Sequence, residues 1–349
     1  MPNNSRSRSA TSPPKTSVTR NDVAVLAGVA PSTVSYVINN GPRSVSVEAR
    51  QQVLKAIAKL GYHPSGIARS LRTRRTQIIG LVIPDITNPY YGEVAQAVEE
   101  VSFEQGYTVI LAHSGHLPER EFRYAEVLRS KQVDGAIFLP VTPDLEPLHI
   151  LRRAGIAVVV LERLVHGYPC ILADEHCAGF LATRHLLELG HRRIGCIVVA
   201  GDSSSSVARV EGYRAALLEA GILPDKNLVV ECDYGYGAGE MGAHRLLQLP
   251  RRPTALVAHN DLMAIGAMKA LTEAGLKVPA DISVVGFDDI AAASYVQPPL
   301  TTIAFPKRQM GKDAIEMLLS LLRSEERAAP RTIKLGVKLI VRGSTGRPS

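Results

Sequence analysis

Carboxylates, amides and tyrosines recur at one kind of place in this sequence, at or just beyond the end of a short apolar run. Asp85, Asn88, Tyr90 and Tyr91 follow IIGLVIP, Ser114 ends TVILAHS, Glu162 follows AVVVL, and Asp174 ends CILAD. Ser203 to Ser206 and Arg209 follow GCIVVA, Tyr234 follows LVVEC, Asn260 and Asp261 follow ALVAH, and Asp288 follows SVVGF. Carboxylates and amides hydrogen-bond hydroxyls, and an aromatic face packs on the C–H surface of a sugar ring. The set suits a hydroxyl-rich small molecule. Loops are polar in any protein, so each residue alone is weak evidence.

A second polar group sits near the N-terminus, on a short helix whose exposed face carries Ser32, Ser35, Tyr36 and Asn39. Such side chains hydrogen-bond base edges or phosphates in the major groove of DNA. The elements that would present them are legible. Thr19 can cap a helix with Val23, Ala24 and Ala27 on one face, and Gly28 ends it. Pro31 suits a first helical turn. A third helix is expected from about Val47 to Leu60, with Val53, Leu54, Ile57 and Leu60 inward and Gly61 closing it. Helix, glycine turn, helix is the spacing of a helix-turn-helix. An ordinary three-helix bundle is the plainer alternative.

Charge bears on that choice. Residues 1–76 hold twelve Lys/Arg against two Asp/Glu, a net of +10, whereas the other 273 residues hold 28 against 31, a net of −3. A basic segment on a nearly neutral body is the footprint of a polyanion partner. A solvated basic tail is the alternative.

Nothing reads as catalysis. There is no G-x-x-x-x-G-K-[ST], H-E-x-x-H or G-x-S-x-G. Gly235-x-Gly237-x-Gly239 follows a strand and opens a helix as a dinucleotide fingerprint would, but Glu240 stands at the third glycine position, where a carboxylate would repel a pyrophosphate. No cofactor is expected. Cys170, Cys177, Cys196 and Cys232 are scattered without a C-x-x-C pair, so no metal site is expected and the thiols read as reduced. The longest apolar runs reach about seven residues, far short of the roughly 20 of a membrane span, and MPNNSRSRSATSPPK has no signal-like stretch. The expectation is a cytoplasmic protein without membrane contact.

From Gln77 onward, apolar runs at 78–84, 108–114, 135–141, 157–162, 193–200, 228–234, 254–260 and 281–289 alternate with helical stretches. Non-alternating β-branched runs followed by helices indicate parallel sheets covered on both faces. One barrel or two open sheets would fit. An irregular TTIAFP (301–306), a further helix (307–323) and a final strand (333–342) favour two sheets joined by crossovers.

Several motifs carry a resemblance: DVAVLAGVAPSTVSYVIN, YHPSGIARSLRT, GLVIPDITNPYY, VDGAIF, LGHRRIG, HNDLMAIGAM and PADISVVGFDD. Over about residues 18–345 the chain resembles the LacI-type transcriptional regulators, the lactose and purine repressor family. The resemblance implies an α/β protein with an N-terminal three-helix helix-turn-helix headpiece. Behind it would lie a two-lobed core, similar to periplasmic sugar-binding proteins, with two doubly wound parallel sheets. It implies a homodimeric repressor on a palindromic, double-stranded operator, controlled by a small-molecule effector, a sugar, between the lobes. The expected divisions are a basic tail (1–16), a DNA-binding domain (17–62), a hinge helix and linker (63–76), and a core (77–349). Lobe 1 would take about 77–173 and 304–331, and lobe 2 about 174–303 and 332–345.

The same resemblance assigns residues. Pro31, Ser32 and Tyr36 match base-reading positions, with Pro31 limited to apolar contact. Thr19, Thr33, Ser35 and Asn39 match positions on phosphates or neighbouring bases, and Arg43 a base-contacting position before the third helix. Leu71 matches a minor-groove wedge in a hinge helix too short to be stable alone, with Arg69 beside it. Arg209, Asn260 and Asp288 match the effector-binding arginine, amide and aspartate. Tyr234 matches an aromatic packing on the effector, and Tyr90 and Tyr91 match first-lobe contacts. Glu162 and Asp174 are candidates by position. The closing GSTGRPS has no apolar heptad, so a dimer through the core is expected rather than a coiled-coil tetramer. Two rivals belong to other classes: an NAD(P)-dependent oxidoreductase with a basic tail, and a sugar-binding transport protein.

Overall fold

The computed structural model describes residues 18–39, 44–63, 75–201, 204–324 and 329–349. The chain divides into two units, Met1–Thr76 and Gln77–Ser349. Arg43, the hinge with Arg69 and Leu71, the tail and Ser203 lie outside the described residues.

In the first unit Thr19 starts α1 (Arg20–Ala27) with a reciprocal cap. Its hydroxyl accepts from the Asp22 N–H, and its own N–H donates to the Asp22 carboxylate at 2.8 Å. Gly28 takes φ +64°, which a side chain would resist, and its N–H closes on the Ala24 and Val25 carbonyls. Two residues on, Pro31 opens α2 (Pro31–Asn39). Ser46 caps α3 (Val47–Leu60), and Gly61 ends it at φ +60°. Val23, Val34 and Val53, one per helix, are fully buried against each other. Leu54 departs from expectation: it is 52 % exposed, and Ala56 is the buried partner of Val53. Each helical step turns about 100°, so Leu54 points away from the stripe that Val53 and Ala56 share.

The second unit holds two six-stranded sheets. The first has the order β11-β5-β4-β3-β1-β2 and runs parallel throughout. Its strands are β1 (Ile78–Ile83), β2 (Thr108–His113), β3 (Gly135–Phe138), β4 (Ala157–Leu161), β5 (Cys170–Ala173) and β11 (Thr332–Leu335). The second, β12-β10-β9-β8-β6-β7, uses β6 (Ile194–Val199), β7 (Val229–Cys232), β8 (Ala255–Ala258), β9 (Ser283–Asp288), β10 (Thr301–Ala304) and β12 (Lys338–Ile340). Nine helices among the described residues of this unit cover the sheets. They are α4 (Pro89–Glu104), α5 (Pro118–Ser130), α6 (Glu146–Arg153), α7 (Glu175–Glu188), α8 (Ser204–Glu219), α9 (Tyr236–Leu247), α10 (Asp261–Glu273), α11 (Ala292–Tyr295) and α12 (Lys307–Arg323).

Three details correct the reading of the sequence. The expected single strand at 333–342 is two strands. Residues Thr332–Leu335 pair in parallel with β5 in the first sheet, so the last crossover falls at Gly336-Val337 rather than before 332. TTIAFP is not irregular: Thr301–Ala304 pair with β9. The second sheet is not wholly parallel, because β12 runs antiparallel to β10 at its edge. The backbone crosses between lobes three times, after β5, after β10 and after β11, and those short links leave a cleft at the strands' carboxyl ends.

Close helix contacts set the side chains of the second lobe. A Cβ on Gly179 of α7 would stand 2.0 Å from the Arg209 carbonyl oxygen of α8, and one on Gly212 would stand 2.1 Å from the His176 carbonyl oxygen. The absence of both side chains lets α7 and α8 touch backbone to backbone. Gly239, the last of the glycines near 235, has the same use: its Cβ would lie 1.9 Å from the Met263 carbonyl oxygen on α10. Helix packing explains Gly239 without a phosphate, and Gly235 stands at the start of α9 with φ +87°.

Candidate functional site

Both lobes contribute to one cavity. The first lobe supplies Asp85, Tyr90, Tyr91 and His116, and Glu162 from the end of β4. The second supplies Arg209 from α8, Tyr234 past β7, His259 and Asn260 past β8, and Asp288 at the end of β9. These are the carboxyl ends of parallel strands, where open α/β sheets bind ligands.

Arg209 is the buried cation of this cavity. Its Nε donates to Glu175 at 2.6 Å, its Nη1 donates to the His259 carbonyl, and its guanidinium lies 4.9 Å from the ring centres of both Phe287 and Phe305. Burial opposes its charge, but Glu175 and then Asp288 outweigh that and raise its pKa. Two carboxyl groups face it from opposite lobes. Burial pushes Glu162 from an ordinary 4.5 up to about 7, with the Tyr90 hydroxyl hydrogen bond and Arg209 pulling the other way. Burial also pushes Asp288 well up, against Arg209 and with Asp261 and Glu162 adding to the rise. Tyr90 and Tyr91 are held protonated by burial and by Glu162, so their hydroxyls are donors. Burial, then Arg209, lowers His259 well below the usual histidine range, leaving it neutral.

The backbone is forced at both carboxylates: Glu162 has φ +63° and Asp288 φ +105°. A non-glycine residue rarely takes such angles unless its surroundings fix them. At Asp288 the buried Lys307 does so. From α12 its Nζ donates to the Asp288 and Asp289 carbonyls at 2.8 and 2.7 Å and pairs with Glu93 of α4 at 3.0 Å. Among the described residues, five buried side-chain polar atoms lack a hydrogen-bond partner. Three belong to this cavity: Glu162 Oε1, His259 Nδ1 and His116 Nδ1. Buried polar atoms are normally paired, so the cavity presents hydrogen-bonding capacity that a polar ligand would use.

Seven of the eight residues expected to hold an effector therefore line one cavity: Tyr90, Tyr91, Glu162, Arg209, Tyr234, Asn260 and Asp288. Asp174 is a correction. It caps α7, accepting from the Cys177 N–H at 3.0 Å, and pairs with Lys334 at 2.8 Å, so its oxygens serve the helix end and β11. Asn260 has a double position, since its Oδ1 caps α10 by accepting from the Met263 N–H at 2.8 Å. Sequence reasoning missed His116, His259 and Glu175. His259 directly precedes Asn260, and His116 lies two residues past Ser114, so position past a strand could have flagged both.

On the first unit, Pro31 and Ser32 are exposed at the start of α2, and Thr33, Ser35 and Tyr36 are half-buried along it. Ser35 accepts from Arg20 Nη1 at 2.9 Å, which ties α2 to α1. Thr19 is the α1 cap. Asn39 closes α2.

Residues 19–65 match the family described as bacterial regulatory proteins, lacI family, and residues 183–345 match the periplasmic binding protein-like domain. The HTH-type transcriptional repressor PurR of Vibrio atlanticus (strain LGP32) is 38 % identical over 309 residues, 87 % of this chain and 92 % of that protein. Among solved structures, the lac repressor dimer bound to operator and the anti-inducer ONPF has a TM-score of 0.85 at 29 % identity. It covers 95 % of this chain and 100 % of its own. The complex of the transcriptional regulator CelR with cellobiose has a TM-score of 0.72 at 32 % identity, covering 94 % and 99 %. These relatives are transcriptional regulators, not enzymes, and the oxidoreductase alternative falls with them. Headpiece, two-lobed core and full-length relatives agree: the chain belongs to the lacI family of bacterial regulatory proteins.

Proposed function

We propose that this chain is a cytoplasmic repressor that binds a palindromic operator as a homodimer and answers to a sugar held between its core lobes. The observation that carries the effector reading is the convergence of Glu162, Asp288 and Arg209, from two lobes, on one cavity. A ligand donating to both carboxyl groups ties the lobes together. The cellobiose of CelR is the precedent for a sugar.

For DNA, residues 17–62 form the reading head and 63–76 the hinge. Pro31, Ser32 and Tyr36 address base edges from α2. Thr19, Thr33, Ser35 and Asn39 address phosphates or neighbouring bases, Arg43 contacts a base from the turn before α3, and Leu71, with Arg69 beside it, opens a base step from the minor groove. Two heads on a two-fold axis meet half-sites about one helical turn apart.

The test is a mobility shift of the full chain on palindromic sites near its own gene, across a salt series, paired with thermal-shift screening of sugars. The expected result is a specific complex weakened by salt and altered by the sugar that stabilises the protein. No complex on any palindrome would remove the operator reading. A stabilising sugar that leaves the complex untouched would remove effector control.

A further inference from the structure

His116 and Tyr234 come from opposite lobes, yet their rings stack at 3.8 Å between centroids with 18° between planes. Both line the ligand cavity. His116 sits in a tight turn past β2. Gly115 and His116 take successive left-handed angles of φ +64° and +59°, and the Leu117 N–H closes the turn on the Ser114 carbonyl at 3.2 Å. Glycine takes such angles freely, but histidine does so at a cost. The ring reaches Tyr234 with its Nδ1 buried and unpartnered. Burial also lowers the His116 pKa, although Asp85 and Asp233 oppose this and His113 adds to it. Backbone strain and an unmet nitrogen both work against this arrangement, and the contact returned is the stack itself.

We propose that His116 and Tyr234 form a latch across the cleft, so that a ligand ring gains the face of Tyr234 by displacing the imidazole. The strained turn and the orphaned nitrogen keep the latch weak. Opening relaxes the turn and gives Nδ1 to water. The displacement half of the proposal rests on the effector reading above, whereas the latch does not.

Footprinting of the ligand-free full chain with diethyl pyrocarbonate, which acylates accessible neutral imidazoles, tests the latch. Exposed His166 is the internal reference. Tyr234→Ala should speed modification of His116 relative to His166 by about two- to tenfold, the range a ring stack is worth, while Tyr234→Phe keeps the wild-type rate. Reciprocally, His116→Ala should raise hydrogen exchange across residues 233–236 in the other lobe. Circular dichroism shows whether each variant is folded, and Tyr234→Phe gives the rate with the ring stack kept and the hydroxyl removed. Equal His116 rates in the wild type and a folded Tyr234→Ala overturn the latch. If Tyr234→Ala does not fold, unchanged exchange in His116→Ala overturns it. Displacement is read with cellobiose as the probe. If it raises the melting temperature, His116 should become more reactive, and a His116 that stays slow under stabilising cellobiose overturns displacement. No stabilisation by cellobiose overturns displacement by that sugar and leaves the ligand-free result standing.

Discussion

Arg209 meets Glu175 through Nε at 2.6 Å, with their side chains only 11 % and 9 % exposed. A pair this withdrawn from water returns little net stability while intact, but removing one partner strands a buried charge, typically at about 3–5 kcal/mol. Glu175→Gln should therefore lower the urea midpoint of the core strongly without changing the slope. The double variant Glu175→Leu, Arg209→Met should recover most of that loss, because both charges go together. It should also lose effector binding. A double variant no more stable than Glu175→Gln would show that the pair does more than neutralise itself.

The arginine is placed by a glycine on the neighbouring helix. With its Cβ 2.0 Å from the Arg209 carbonyl oxygen, Gly179→Ala must push α8 away from α7. Overpacking of this kind costs about 1–3 kcal/mol, and it should also shift the guanidinium off the cavity. Gly237→Ala is the contrast. Its Cβ would meet nothing within 4 Å, so the helix-propensity gain of alanine, up to about 1 kcal/mol, should appear as equal or higher stability. Thermal unfolding of the two variants side by side decides the point. A destabilised Gly237→Ala would revive a special role for the Gly235-x-Gly237-x-Gly239 run.

Leu71 belongs to the proposed hinge. Leu71→Ala removes the apolar wedge and leaves the charges around it in place. Operator affinity should fall, and the thermal shift given by a stabilising sugar should match the wild type. Titrations of one operator with both proteins at one salt concentration measure this, and equal affinities would remove Leu71 from the interface.

Local signals were legible in the sequence where one residue decides the outcome. Thr19 capping α1, Gly28 turning left-handed and Pro31 opening α2 each follow from a single side chain or its absence. Tertiary context decided the rest. Thr301–Ala304 lie between Pro299 and Pro306, so the run reads as a loop, yet β9 and β12 pair with it on both sides. Thr332–Leu335 and Lys338–Ile340 look like one strand because nothing local shows that they join different sheets. In the cleft, position past a strand found the carboxylates. It could not separate Glu162, which faces the cavity, from Asp174, whose oxygens a helix end and Lys334 take up.

Glu162 makes the core's stability depend on pH in a definite direction. Its pKa rises from about 4.5 in an open chain to about 7 in the folded cleft, chiefly through burial. Between those values the folded state keeps a proton that the unfolded chain has released, so raising the pH favours unfolding. The contribution of this group is complete below about pH 4.5 and is lost as the pH climbs through about 7. Asp288 and Asp261 are raised by burial too and add the same trend, so a difference measurement is required. Glu162→Gln keeps the size and hydrogen-bonding shape but does not titrate. The melting temperature of the wild type minus that of Glu162→Gln should fall from pH 5 to pH 8 in the absence of ligand. Parallel curves across that range would mean that Glu162 is ionised throughout, with a cationic or water-filled environment in place of the buried one described.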